Sequence, residues 1–288
     1  MNQREKILVC SGGGAHTTSY IGLWKYLYDE HNYRPDRIVG TSGGALFGCF
    51  MAAGISSEEM EKTFKKYKPW KEFRIAPLLW MADFLFYWGL VRIKKIQRLL
   101  DKIFDEFDVD WNSFSETKFQ CVVTDLNDGK RKYIPQDLDM DLSTAITASI
   151  AIPGIFEPVW VKGSNGVKHC FVDGGVCEGY PVKAALQKGR DNVKIFAISP
   201  FDVRQKREYT FEKKMQYARV LYRTLLDAKG EDMIDLLEPD LGDYYLPTGF
   251  KSEHVLDFDW ETVKTNINLG YETARDNQKE IKKFFETP

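Results

Sequence analysis

The stretch Asp36-Arg37-Ile38-Val39-Gly40-Thr41-Ser42-Gly43-Gly44-Ala45-Leu46 decides how this chain is read. A short apolar run ends in a turn of small residues, and the turn passes at once into an apolar segment of helical length, Ala45 through Ala53. Strand, sharp turn and helix form the context that a nucleophile elbow requires, with the serine hydroxyl pushed outward over the start of the helix. Gly40 and Gly44 flank Ser42 because the turn crowds strand against helix, where a Cβ would collide with neighbouring backbone. The G-x-S-x-G pattern also arises by chance, as a strand-to-helix turn with a capping serine. Its neighbours in the sequence decide between the two.

Upstream, Lys6-Ile7-Leu8-Val9-Cys10 reads as a buried strand that Ser11-Gly12-Gly13-Gly14 breaks. A helix follows, with Tyr20, Ile21, Leu23, Trp24, Leu27 and Tyr28 at helical spacing. Three consecutive glycines leave backbone N–H groups unhindered beside the positive end of a helix dipole, so the loop suits an anion, either a phosphate or a developing oxyanion. A dinucleotide-binding turn would need glycine where Thr17 stands, and a P-loop would need Gly-Lys-Ser/Thr; neither is present, which disfavours a nucleotide. In a parallel sheet, strand C-termini share one edge, which would make the glycine loop and the Ser42 turn neighbours.

At this point the sequence resembles the patatin-like phospholipases. Ser11-Gly12-Gly13-Gly14-Ala15-His16 through Ile21-Gly22-Leu23 is similar to their oxyanion loop, and Gly40-Thr41-Ser42-Gly43-Gly44 to their elbow. The likeness continues through Ala148-Ser149-Ile150-Ala151-Ile152-Pro153-Gly154-Ile155-Phe156-Glu157-Pro158-Val159, then Val172-Asp173-Gly174-Gly175-Val176 and Tyr180-Pro181-Val182. The resemblance implies an α/β protein, a three-layer α/β/α sandwich with a mostly parallel central sheet and flanking helices. It implies Ser42 as nucleophile and Asp173 as the other half of a dyad. It also implies an oxyanion hole from Gly12, Gly13, Gly14 and Gly43, an elbow of Gly40, Thr41 and Gly44, and an Asp-Gly-Gly motif through Gly174 and Gly175. The activity implied is hydrolysis of carboxylic esters in a phospholipid or other acyl-ester lipid, of phospholipase A or lysophospholipase type, with no metal or cofactor. Two positions depart from the family pattern: His16 stands where arginine is usual and Thr17 where glycine is usual.

The chain has 288 residues, 43% hydrophobic and 28% charged, as expected of a soluble globular protein; its net charge of −2 argues against a dedicated nucleic-acid binder. Cys10, Cys49, Cys121, Cys170 and Cys177 are scattered without C-x-x-C spacing, which suits reduced thiols rather than a zinc or disulfide framework. The N-terminus is polar and shows no signal peptide. The longest apolar stretch, Ile75 to Val91, contains Asp83 and is short for a bilayer span of ~20 residues. A cytoplasmic location is expected, with peripheral membrane contact as a corollary of a lipid substrate. Nothing in the chain reveals an oligomeric state. One domain over residues 1–288 is expected, with a catalytic core at 6–200 and a mostly helical part at 201–288 packed on it.

The remaining segments fit that plan. Ser56 or Ser57 caps a charged helix with Glu58 and Glu59 in its first turn. The aromatic run Ile75–Val91 either packs in the core, lines an acyl-chain channel or touches a membrane. Ile93, Ile96, Leu99, Leu100, Ile103 and Phe104 share one helical face, with Arg92, Lys94, Lys95 and Arg98 on others. A strand at Phe119–Leu126 turns at Asn127-Asp128-Gly129-Lys130, and Asp125 at its end is expected to tie down that turn. Asp141–Ile152 reads as helical, and a hairpin of Val159–Val161 with Lys168–Val172 delivers Asp173 to a Gly-Gly turn. Lys194–Ser199 reads as the last strand, with helical stretches at Phe211–Glu238 and Trp260–Phe285. A rival reading is an α/β-hydrolase with a Ser42, Asp173, His254 triad, although that fold places several strands before its elbow. A second rival is a non-catalytic lipid-binding protein. A carboxylate with an ordinary pKa near 3.9 is a weak base at neutral pH, so a working Asp173 is expected to sit partly buried beside Ser42.

Overall fold

The computed structural model describes residues 4–69, 89–163, 166–204, 229–250 and 259–287. The strands are β1 (Glu5–Cys10), β2 (Arg37–Thr41), β3 (Gly89–Val91), β4 (Lys118–Asp125), β5 (Lys130–Ile134), β6 (Gly154–Phe156), β7 (Val159–Lys162), β8 (Lys168–Asp173), β9 (Val193–Ser199) and β10 (Tyr244–Pro247). Among the described residues they build an eight-stranded sheet in the order β10-β9-β1-β2-β4-β8-β7, with β5 also on β4, while β3 pairs with β6. The half containing β10, β9, β1, β2 and β4 is parallel. The half containing β5, β7 and β8 is antiparallel. The sheet is therefore mixed; short turns join the antiparallel pairs β4–β5 and β7–β8, whereas a helical crossover joins the parallel pair β1–β2.

The helices whose two ends fall among the described residues are α1 (Ser19–Trp24), α2 (Gly43–Ala52), α3 (Ser57–Tyr67), α4 (Ile93–Phe107), α5 (Leu142–Ser149), α6 (Gly175–Glu178), α7 (Val182–Ala185), α8 (Trp260–Asp276) and α9 (Gln278–Glu286). They cover both faces, which explains why Ile7–Cys10 of β1 and Ile38–Gly40 of β2 are runs without polar side chains rather than alternating. Leu8, Cys10 and Ile38 face the larger core with α1, α2, α4 and α5. Ile7, Val9 and Val39 face a smaller core closed by Val182, Ala184, Ala185 and Ile234. This is a three-layer α/β/α arrangement.

Local chemistry sets the helix starts. Ser56 caps α3 in a reciprocal capping box with Glu59. Asp141 accepts the Thr144 N–H at the start of α5, and Asp259 accepts those of Glu261 and Thr262 at the start of α8. Between the glycine loop and α1 the chain makes a tight 3₁₀ turn, Gly14–Thr18, and beyond α1 it widens into a π turn, Lys25–Glu30. Helix α8 lies directly on α1, where a Cβ at Gly22 would fall 1.9 Å from the Ile267 carbonyl oxygen and one at Gly270 1.9 Å from that of Ser19. Paired glycines thus let two backbones touch. Asn266 adds hydrogen bonds from its side-chain amide to the Ala15 carbonyl at 3.1 Å and to Thr18 Oγ1 at 3.0 Å.

The register of β4 explains how two distant segments meet. Strand β5 occupies one edge of β4 along Cys121–Asp125, so β2 and β8 share the other edge end to end. Thr41 stands opposite Val122, and Asp173 opposite Val123. The antiparallel β8 runs head-on into the end of β2, and the two C-termini abut.

The structure corrects the reading at two places. Lys194–Ser199 is not the last strand, because β10 pairs in parallel beyond it. The final helical stretch is two helices broken at Asn277. Most of the aromatic run Ile75–Val91 and most of Phe211–Glu238 lie outside the described residues, although 229–234 is helical.

Candidate active site

Ser42 sits alone between β2 and α2 with φ 56° and ψ −130°, on the side of conformational space that L-residues seldom occupy. Close approach of strand and helix enforces this. A Cβ at Gly40 would lie 2.4 Å from the Gly44 oxygen, and one at Gly44 2.3 Å from the Cys10 oxygen. The bend is held by hydrogen bonds that reach three other elements, α5, β4 and α6. The Ser42 N–H donates to Ser149 Oγ at 3.0 Å, and that hydroxyl donates onward to the Val122 carbonyl at 2.7 Å. Thr41 Oγ1 donates to the Glu178 carbonyl at 2.9 Å.

Asp173, at the end of β8, is 1% exposed. Its Oδ2 accepts from Ser42 Oγ at 2.7 Å and its Oδ1 from the Gly175 N–H at 2.6 Å. Its own N–H donates to the Ala151 carbonyl at 2.9 Å. Gly174 lies flat against the Val122 carbonyl. Burial pushes the Asp173 pKa up to about 7, while the hydrogen bonds from Ser42 and Gly175 hold it down. Desolvation thus brings this carboxyl into the range where it can exchange a proton near neutrality.

The glycine loop lies beside the elbow: a Cβ at Gly12 would be 3.1 Å from that of Ser42. The three glycines are not equivalent in their hydrogen bonding. The Gly12 N–H donates to the Gly179 carbonyl at 3.0 Å and is committed to the fold. No backbone acceptor among the described residues takes the N–H groups of Gly13, Gly14 or Gly43, and the latter two open a 3₁₀ turn and a helix whose first amides point forward. Thr17 donates from Oγ1 to the Gly14 carbonyl at 2.6 Å and fills the space beside Gly43. His16 is buried, stacked on Phe250 at 4.6 Å and edge-on to Phe201 at 5.2 Å.

From Ser42 an apolar cavity opens, with an empty volume of about 1000 Å³ that is partly open to solvent. Three helical stripes wall it: Gly43, Leu46, Phe47 and Phe50 of α2; Met60, Thr63, Phe64 and Tyr67 of α3; and Ile96, Leu99, Leu100, Ile103 and Phe107 of α4. Each repeats at three- and four-residue spacing, so one face of each helix looks inward. The sequence shows the α4 stripe as one apolar face without saying what it faces, and it hides the stripe on α3, whose composition is dominated by charge. Helical spacing was the available signal, but a face turned to a cavity and a face turned to the core have the same period.

Other singled-out residues are placed elsewhere. Asp125 accepts the Asn127 N–H at 3.0 Å and pairs with His169 Nδ1 at 2.7 Å, fastening its turn. His31 is held against the Tyr26 carbonyl at 2.8 Å. His254 lies outside the described residues. Arg92, Lys94, Lys95 and Arg98 face solvent. Among the described residues no group of three His, Cys, Asp or Glu side chains is arranged to hold a metal ion, and no helix is long and apolar enough to cross a membrane.

A strained serine at a strand-to-helix turn, touching a buried aspartate at the mouth of an apolar cavity, marks a lipase-like α/β fold. The family model described as "Patatin-like phospholipase" matches residues 8–186, and the chain belongs to that family. Protein YqhO of Bacillus subtilis (strain 168), itself uncharacterized, is 25% identical over 235 residues, covering 76% of this chain and 80% of that protein. An uncharacterized NTE family protein of Mycobacterium tuberculosis (strain H37Rv) is 30% identical over 177 residues, covering 61% of this chain and 44% of that protein. The matched region thus spans less than half the length of the mycobacterial relative. Among solved structures, VipD from Legionella pneumophila superposes with a TM-score of 0.50 at 14% identity, over 95% of this chain and 66% of that one, a likeness of fold. Family membership supports lipid-ester hydrolysis as the class of activity.

Proposed function

We propose that the chain is a serine lipid acyl hydrolase of phospholipase A or lysophospholipase type, acting through Ser42 and Asp173 and an acyl-enzyme. The observation that carries this reading is the 2.7 Å hydrogen bond from Ser42 Oγ to Asp173 Oδ2 at the mouth of the apolar cavity. The direct contact favours a dyad over a triad, since a histidine relay would stand between serine and carboxylate. In this scheme Asp173 takes the hydroxyl proton as Ser42 Oγ bonds to the ester carbonyl carbon. The carbonyl oxygen becomes an oxyanion facing the N–H groups of Gly13, Gly14 and Gly43; loss of one such donor typically costs ~10²-fold or more. Collapse breaks the bond to the leaving alcohol, which receives the proton from Asp173. Water then repeats the sequence on the acyl-serine, releasing the fatty acid. The cavity would hold the acyl chain, and the protein would meet its substrate by peripheral contact with a lipid surface.

The test is product analysis by mass spectrometry on a mixed panel of phospholipids and acylglycerols, comparing wild type with Ser42→Ala. Free fatty acid and lysolipid should appear only with wild type. Identical products from both proteins would overturn the reading, and an inactive wild type that still binds lipid would favour the non-catalytic alternative.

A further inference from the structure

Glu178 is 1% exposed and takes no part in the chemistry above. Its carboxylate is gripped from two directions. Oε2 accepts from the Tyr133 hydroxyl at 2.8 Å and lies 2.9 Å from Arg131 Nε, both on β5. Oε1 accepts the N–H of Lys183 at 3.0 Å and of Ala184 at 3.4 Å, at the start of α7. A buried carboxylate with this many donors has little freedom to move, because each alternative position leaves a charge unpaired.

The main chain at Glu178 reaches the site. Its carbonyl takes the Thr41 hydroxyl at 2.9 Å, beside Ser42. The next carbonyl, of Gly179, takes the Gly12 N–H at 3.0 Å, in the glycine loop. Three residues before Glu178, the Gly175 N–H donates to Asp173 Oδ1 at 2.6 Å. One short segment, 175–179, therefore touches the carboxylate, the elbow and the anion loop, and a single buried side chain anchors its far end.

We propose that Glu178 is a positioning residue: through segment 175–179 its carboxylate sets Asp173, Thr41 and Gly12 at fixed mutual distances. The proposal rests on Ser42 and Asp173 being the reacting pair. It is tested with Glu178→Gln, Glu178→Ala and Tyr133→Phe, their folding checked by circular dichroism and thermal melting. Three quantities are read: the rate of Ser42 labelling by an alkyl fluorophosphonate, kcat and KM for p-nitrophenyl octanoate, and amide exchange in peptides covering Ser11–Gly14 and Gly40–Gly44. A small misplacement of reacting groups costs up to ~10²-fold, so Glu178→Gln should lower kcat and labelling about tenfold with KM within about twofold. Glu178→Ala should lose more, Tyr133→Phe less, and exchange at Gly12 should quicken in the same order. A folded Glu178→Gln with labelling and kcat within about twofold of wild type, or with unchanged exchange at Gly12, overturns the proposal. Should Glu178→Ala not fold, the other two variants decide. If the probe does not label wild-type Ser42 while Gly12 exchange still quickens in the variants, the hydrolase reading falls and the coupling stands.

Discussion

Replacing Asp173 by asparagine should stabilise the protein while disabling its chemistry, and the size of the effect follows from where the carboxyl sits. Its pKa rises from 3.8 to about 7 because it is buried. Below pH ~4 the carboxyl is protonated in both folded and unfolded chains and imposes no penalty. Between pH ~4 and about 7 the folded protein keeps a proton that the unfolded chain has released, so stability falls by ~1.4 kcal/mol per pH unit. Over that window the loss sums to about 4 kcal/mol, and above pH 7 it is complete. Asp173→Asn has no such proton to lose. Its Oδ1 keeps the acceptor role toward Gly175, and its stability should exceed that of wild type by an amount that grows from pH 4 to 7 and then levels. Urea unfolding of both proteins at half-unit intervals from pH 4.5 to 8.5 measures the difference, and ester hydrolysis in the same buffers should show the variant inactive. Parallel stability curves across that range would refute the assignment of a desolvated carboxyl at this position.

Activity should follow the same ionisation in the opposite sense. With Asp173 as proton acceptor, kcat/KM for a neutral ester should rise through pH about 7 and level above it; a profile flat from pH 5 to 8 would remove Asp173 from the role of base. Ser149→Ala deletes the acceptor of the buried Ser42 N–H and should destabilise the fold by ~1–3 kcal/mol, with kcat reduced; denaturant midpoints and initial rates check both, and a variant with wild-type stability would mean that this hydrogen bond does not hold the elbow.

Much of the central sheet was legible because its strands are short apolar runs punctuated by glycine, and the pattern has few alternatives. The elbow was legible for the same reason: Gly40 and Gly44 are required by contacts that any strand-to-helix turn of this tightness produces. What made the pairing of Ser42 with Asp173 hard to read is that it depends on register. Only the sharing of one β4 edge by β2 and β8 brings them together, and no local pattern encodes which edge a strand takes. The unequal hydrogen bonding of Gly12, Gly13 and Gly14 was hidden likewise, since it turns on a carbonyl at Gly179, 167 positions away. Strand β10 escaped notice because Tyr244-Tyr245-Leu246-Pro247 is brief and ends in proline, which a sheet edge tolerates. The α3 cavity wall was masked by Lys62, Lys65 and Lys66, whose pairing with Glu58, Glu61 and Glu106 gives the helix a charged outer surface.

The notch where Gly22 meets Gly270 has a bearing on how the polypeptide can be divided. The recognisable family region ends at residue 186, yet the backbone behind its glycine loop is braced by a helix recruited from residues 260–276, which docks by main-chain contact and the amide of Asn266. Severing the chain between β9 and α8 would turn that brace into an intermolecular contact, formed only at concentrations high enough for the pieces to find each other.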